Sequence, residues 1–355
     1  MTFPYTDLAD LGWTEEKRDY LAAFEADVEP ARIASEHRGA YVVFTSTGEL
    51  SAEITGRLSF TADSRADLPA VGDWVAITRT TDSAVIHGVL PRSSVFSRKV
   101  AGPETDEQIV AANIDTIFIC SALDADLNLR RIERYLTLSW QGGAVPVVLL
   151  TKSDLCADVA AAVGEVTGIA AGADVIAVSV VEDVGLSSLA AYLTGSKTVA
   201  VLGSSGVGKS TLVNRLVGEE LMTTREIRDD GKGRHTTTYR RLIPLPGGGA
   251  LIDTPGMREL QLWDGAEGLE SAFSEIAELA EGCRFRDCSH RKEPGCAVLA
   301  ALESGGLDAT RFESYRKQER ELASLETRKD KRLASEQARR WKQVNKEARS
   351  RSRHR

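Results

Sequence analysis

Nine residues, Gly203-Ser204-Ser205-Gly206-Val207-Gly208-Lys209-Ser210-Thr211, have the spacing of a phosphate cradle, G-x-x-x-x-G-K-[ST]. Glycines in such a loop let backbone N–H groups turn inward around a phosphate, and the helix that follows adds its positive end. Lys209 is expected to reach the β and γ oxygens, and the Ser210 hydroxyl to ligate Mg²⁺. The flanks agree: TVAVL leads in and STLVNRLV leads out, which gives strand, loop and helix in the required order. Asp253-Thr254-Pro255-Gly256 follows the apolar ALI, so a D-x-x-G stands at the end of a later strand. Asp253 is expected to hold the magnesium through water, and the Gly256 N–H to meet the γ-phosphate and move when it leaves. Between the two lies DDGKGRHTTTYRRL, residues 229–242, a Gly-rich, basic and hydroxyl-bearing loop where a first switch belongs. One of Thr236, Thr237 or Thr238 is expected to give its hydroxyl to Mg²⁺, with Thr237 preferred.

A second set of residues reads a base. Thr151-Lys152-Ser153-Asp154 closes the apolar run VPVVLL. A carboxylate at Asp154 can accept both N1–H and N2–H₂ of guanine, a donor pair that adenine lacks. Left unpaired, a buried carboxylate costs several kcal/mol, so the wrong base is rejected. Lys152 is expected to lay its stem along base and ribose. Thr151 departs from the Asn more often found there, and a hydroxyl supplies fewer hydrogen bonds than an amide. Ser179, in AVSV, ends another apolar run and fits a second base-contacting loop. Both base elements precede the phosphate loop, giving the order base, base, phosphate, switch, switch. A parallel sheet tolerates that order if the old termini are joined and a connection is cut elsewhere.

A third set binds metal. Cys283-x₄-Cys288-x-His290-x₅-Cys296 offers three thiolates and one imidazole within fourteen residues. Four such ligands suit one tetrahedral structural Zn²⁺ with no open position. The segment is too small for a core of its own, so the metal is expected to contribute to its folding. Arg284, Arg286, Arg291 and Lys292 lie among the ligands and suit RNA. Cys120 and Cys156 sit apart and read as ordinary reduced thiols.

These residues need a scaffold. Residues 1–35 read as an N-terminal extension with a helix starting at Thr14. Residues 36–100 carry short strands at roughly ten-residue spacing, which predicts a small OB-fold-like β-barrel, with an SH3-like barrel left open by pattern. Residues 98–113 look like a mobile polar linker. Across 101–265 near-continuous apolar strands alternate with helices, which predicts a mostly parallel sheet buried on both faces. Residues 266–310 form the zinc-binding helical domain, and 311–355 a basic tail. That tail carries 16 Lys+Arg against 7 Asp+Glu, while the other 310 residues carry 28 against 45. An acidic body with a basic end suits a protein that touches nucleic acid, although a merely solvated helix has the same composition. No run of eighteen apolar residues exists, and the N-terminus lacks a secretory pattern, so the chain is expected in the cytoplasm.

The order TKSD, GSSGVGKST, GRHTTT, DTPG, with a barrel before it and a Cys/His cluster after it, resembles the circularly permuted, small-subunit-dependent GTPases known as the ribosome biogenesis GTPase A family. The resemblance covers residues 36–310. It implies three parts: an OB-fold-like barrel, a circularly permuted α/β P-loop GTPase domain and a C-terminal zinc-binding domain. It also implies GTP hydrolysis stimulated by the small ribosomal subunit, as a checkpoint or release switch in late subunit maturation. The cofactors are then one structural Zn²⁺ and Mg²⁺ with GTP. The partners are GTP/GDP and the small subunit with its rRNA, with no membrane, and the protein acts as a monomer. A different reading is an RNA-binding assembly protein that uses GTP structurally with little turnover. A P-loop kinase or transporter using ATP is argued against by Asp154. Small GTPases often place Gln just after D-x-x-G to orient the attacking water. Met257 stands there in this chain, so unaided turnover is expected to be slow. His235 is the candidate for orienting water instead, as the resembling family has a His in the same motif; contact with RNA or solvent is its other reading.

Overall fold

The computed structural model describes residues 5, 7–24, 27–37, 39–99, 107–124, 127–218, 240–253, 266–324 and 327. Alternating apolar residues give five N-terminal strands: β1 (Glu29–His37), β2 (Ala40–Thr45), β3 (Gly48–Ile54), β4 (Trp74–Arg79) and β5 (Ser83–Val89). They pair in the order β1-β2-β3-β5-β4, and β4 returns to β1, so the sheet closes. β3 and β5 run parallel while the other neighbours run antiparallel, the arrangement of an OB-like barrel. Ile33, Val43, Val75, Ile77 and Ile86 fill it.

Two expectations change here. The barrel's first strand begins at Glu29, inside the stretch read as an extension, because Pro30 and Arg32 hide its alternation. The stretch read as a mobile linker contains β7 (Glu107–Ala112), which pairs with β6 (Val95–Lys99) as an antiparallel hairpin.

The second half of the sheet contains β8 (Thr116–Ala122), β9 (Val145–Thr151), β10 (Asp174–Ala177), β11 (Thr198–Gly203), β12 (Arg241–Pro244) and β13 (Ala250–Asp253). Its order is β10-β9-β8-β11-β13-β12, parallel throughout except for β12. β8 and β11 are buried along their whole length, as strands covered on both faces must be. One face packs Ile117, Ile119, Val148 and Leu150 against the helix Leu129–Gln141. The other packs Phe118, Cys120, Val147 and Leu149 against the helix Lys209–Val217. β12 also pairs with β1 at Ser35 and Arg241, so barrel and parallel sheet form one eleven-stranded sheet.

C-terminal helices Ala266–Ala272, Ser274–Glu281 and Ala297–Ser304 lead to a helix over 309–324. Phe273, Ile276, Val298 and Leu322 join the same core as Leu136 and Ile119. The start of the stretch read as a basic tail is therefore a packed helix; residues 328–355 lie outside the described residues. Among the described residues, no helix is long and apolar enough to cross a membrane.

Arg32 is the joint between these parts. Its guanidinium is fully buried over the Trp74 ring, 5.3 Å from the centroid. It donates to the Leu11 carbonyl, to the Gly72 and Asn113 carbonyls at 3.2 Å each, and to the Thr198 hydroxyl at 2.7 Å. Those acceptors belong to the N-terminal segment, the barrel, the entry to β8 and the start of β11. Burial lowers its pKa to about 10, which leaves it charged at neutral pH. Arg32→Ala would remove a donor from four buried acceptors, of which Gly72 keeps the Asn113 amide, and open a cavity, so chemical denaturation should show a stability loss of roughly 3–5 kcal/mol.

Candidate functional site

The phosphate loop leaves β11 at Gly203, where φ is 147°. A Cβ there would lie 2.4 Å from the Cys120 carbonyl, so only glycine lets β11 turn this close to β8. Gly208, at φ 90°, caps the helix Lys209–Val217. The Lys209 ammonium donates to the Gly203 carbonyl at 2.8 Å and to the Ser204 carbonyl, which folds its side chain back over the loop mouth. Ser205 and Gly206 are exposed at that mouth, while Val207 is buried beneath it; Ser210 and Thr211 open the helix. Asp253 ends β13, next to β11 in the sheet. Burial raises its pKa to about 6, and the Lys209 cation partly offsets that rise. A cradle of amides, an ammonium and a half-buried carboxyl thus converge at the carboxyl ends of adjacent parallel strands, where open α/β sheets take ligands. Gly256, His235 and Thr237 lie outside the described residues.

The residues expected to read the base arrive from the other side of β8. Thr151 ends β9 and is buried. Its hydroxyl donates to the Val207 carbonyl at 2.7 Å, with the Ser121 carbonyl next at 3.4 Å. The departure at position 151 is thereby explained: the hydroxyl ties the TKSD loop to the phosphate loop. Lys152 then takes a left-handed turn, φ 55°, and its ammonium pairs with Asp124 at 3.0 Å. Ser153 donates its N–H to the Val178 carbonyl at 3.2 Å. The Asp154 carboxylate accepts from the Ser179 hydroxyl at 2.6 Å, and Ser179 in turn accepts the Glu182 N–H at 3.2 Å. Ser179 is fully buried and exchanges both backbone bonds with Val184. Thr151, Asp154, Ser179 and Val207 therefore form one connected end of the sheet.

Two contacts of this site have no signature in the sequence. Asp124, after β8, holds Lys152, and Arg131 donates to the Ser204 hydroxyl at 2.5 Å from 73 positions away. Neither pair has a spacing that a motif would register.

At the metal cluster, the ligand atoms of Cys283, Cys288, His290 and Cys296 all lie within 4.8 Å of one another. Cys283 Sγ is 3.6 Å from His290 Nδ1 and 3.8 Å from Cys296 Sγ, and His290 Nδ1 is 3.4 Å from Cys296 Sγ. Ligands about 2.3 Å (S) and 2.0 Å (N) from one zinc would be about 3.5–3.8 Å apart in a tetrahedron, so the residues fit such an ion. Burial lowers the His290 pKa, which favours the neutral ring a metal needs. The Cys296 sulfur also accepts the Leu299 N–H at 3.4 Å, as the N-cap of the helix Ala297–Ser304. Glu293 fixes the ligand loop by accepting from the Ser289 hydroxyl and from the N–H groups of Ser289, Arg291 and Lys292, the latter at 2.7–3.2 Å; the hydroxyl first, then the N–H groups, hold its carboxyl well below the usual range.

The Thr151 bond can be tested directly. Thr151→Ala should weaken guanine-nucleotide binding by about 5- to 10-fold, the worth of one buried hydrogen bond, while Thr151→Asn, which can reach the same carbonyl, should bind near the native level. Fluorescent-GDP titration measures both.

The RsgA GTPase family matches residues 89–263, and a family described as 50S ribosome-binding GTPase matches residues 198–332. The small ribosomal subunit biogenesis GTPase RsgA 2 of Lactiplantibacillus plantarum is 52% identical over 82% of this chain and 83% of its own. The small ribosomal subunit biogenesis GTPase RsgA of Opitutus terrae is 46% identical over 98% of both chains. Among solved structures, YjeQ from Thermotoga maritima superposes with a TM-score of 0.63 at 27% identity, covering 84% of this chain and 98% of that one. YloQ, a circularly permuted GTPase, has the same fold, with a TM-score of 0.61 at 22% identity over 86% of this chain and 98% of its own. With the strand that ends in TKSD ahead of its phosphate loop, this chain belongs to the RsgA GTPase family and is a circularly permuted GTP hydrolase.

Proposed function

We propose that this GTPase acts in late maturation of the small ribosomal subunit in the cytoplasm, as a monomer whose turnover is stimulated by the subunit and whose hydrolysis licenses release. The observation that carries the nucleotide half of this reading is the pair of bonds Ser179–Asp154 and Thr151–Val207, which ties the TKSD loop to both the Ser179 turn and the phosphate loop. The ribosomal half rests on relatives that carry small-subunit biogenesis in their names at 46–52% identity. In this reading Asp154, Lys152 and Ser179 select guanine, and Gly203 to Thr211 hold the phosphates. Ser210, Asp253 and Thr237 hold Mg²⁺, and Gly256 senses the γ-phosphate. Magnesium, when bound by these residues, would supply charge neutralisation to the phosphates. The chain's own residues orient the nucleotide, and His235 orients water in the place that Met257 cannot serve. The barrel and the basic knuckle around Arg284 and Arg291 offer surfaces for rRNA.

GTP hydrolysis titrated with purified small subunits tests the central claim. Turnover should rise by at least tenfold at saturation, and a flat titration would instead favour structural use of GTP. In the same assay His235→Ala should abolish most of the stimulated rate and leave GTP affinity unchanged; unaltered stimulation in that variant would remove its catalytic role.

The Cys/His cluster is proposed to hold one structural zinc. Native mass spectrometry should find one zinc per chain, and Cys296→Ser should lose both the metal and thermal stability. A metal-free native chain would refute the assignment.

A further inference from the structure

The helix Leu129–Gln141 faces two parts of the molecule at once. At 100° per residue, Arg130, Glu133 and Arg134 fall within one arc of its first turns, and Arg131 projects beside that arc. The arc grips the C-terminal helix over 309–324. Glu133, buried, accepts from Arg311 at 2.8 Å and from the Ser314 hydroxyl. Arg311 also reaches Glu275 at 2.6 Å and the Ala272 carbonyl at 2.6 Å, and stacks 4.2 Å over the Phe273 ring. Arg134 makes a two-pronged pair with Glu321 at 2.7 and 2.8 Å. Exposed Arg130 and Glu313, 3.6 Å apart, contribute little. The buried and forked members fix angle as well as distance, so the helix is held in one rotation.

On the adjoining side, Arg131 donates to the Ser204 hydroxyl at 2.5 Å. Ser204 is the second residue of the phosphate loop, and its carbonyl accepts the Lys209 ammonium. One residue is thus bound through its main chain by one cation and through its side chain by another. The loop works through the direction of its N–H groups, and misplacement of such groups by an ångström costs orders of magnitude in rate or affinity. A guanidinium fixed to a clamped helix is a brace against that displacement.

We propose that Arg131 is a positioning residue of the phosphate loop, aimed by the C-terminal helix, so that docking of this helix and nucleotide affinity are linked. The link runs through packed side chains of the helix Leu129–Gln141 and needs no movement of either switch. It depends only on guanine-nucleotide binding, and it stands whether or not the ribosomal reading holds.

The test is a set of titrations of the full-length protein with fluorescent GDP and a non-hydrolysable GTP analogue. Arg131→Ala and Ser204→Ala should each weaken binding by about 5- to 10-fold, as expected for one charge-assisted hydrogen bond. The double variant should be no weaker than the worse single one, because both remove the same contact. Arg131→Lys should recover part of the loss. Steady-state KM for GTP should rise with kcat preserved, which a general loss of folding would not produce. Arg134→Ala, which releases Glu321, should weaken binding by about 2- to 5-fold with Arg131 present and have no effect in the Arg131→Ala background. Unchanged affinity in both Arg131→Ala and Ser204→Ala overturns the positioning role, as do effects that multiply in the double variant. An Arg134→Ala effect of equal size in both backgrounds overturns the link to the C-terminal helix. Ser204→Ala, a small change at a partly exposed site, keeps the first arm decisive even if Arg131→Ala folds poorly.

Discussion

The parallel pairing of β8 with β11 is the seam on which this molecule depends. Five residue pairs, from Thr116–Val199 to Cys120–Gly203, align the half of the sheet that carries TKSD with the half that carries the phosphate loop. Everything that distinguishes the site follows from that register. Gly203 must lack a side chain because β8 passes behind it, and Thr151 meets Val207 because β9 continues the same alignment. The chain order is unusual, yet strand order in space decides what the carboxyl ends of the strands present.

Around this seam the molecule is braced by buried cations rather than by apolar contact alone. Arg32 ties barrel, N-terminal segment and β11, and Arg92 holds buried Asp73 at 2.7 Å beside the hairpin β6–β7. Arg311 does the same for the C-terminal helices. Removing one partner of such a group is far more damaging than its net contribution to stability suggests, since a buried charge or acceptor is left behind. The domains are thereby fixed at defined angles, which apolar faces alone specify poorly.

Legibility in the sequence followed the range of each interaction. The phosphate loop, the TKSD loop and the Cys/His cluster depend on residues a few positions apart, so their spacing announces them. The parallel sheet was readable because strands such as TIFICSA are near-continuously apolar. β1 was not readable, because Arg32 occupies a buried position and is satisfied only by acceptors as far away as Thr198. The same holds for the Thr151 hydroxyl, whose acceptor is 56 positions on, and for Arg131 and Ser204, 73 apart. Local pattern names the chemistry of a residue; only the fold names its partner. The helix over 309–324 was obscured differently, since its charges look solvated until Glu133 and Glu275 are seen to receive Arg311, and Glu321 to receive Arg134.

Permutation also sets the timetable of synthesis. β8 and β9 emerge first and can pair with each other, but β8 keeps one open edge until β11 follows. At about 5–20 residues per second, the stretch between β9 and β11 takes roughly 2–10 s to appear. For that interval a strand destined for burial on both faces presents unpaired N–H and C=O groups, the usual invitation to wrong partners. The barrel's five strands, complete by Val89, have by then been made, and Arg32 is already in place for the Thr198 hydroxyl as β11 begins. With the TKSD strand made first, the sheet closes only when the phosphate-loop strand arrives between β8 and β13.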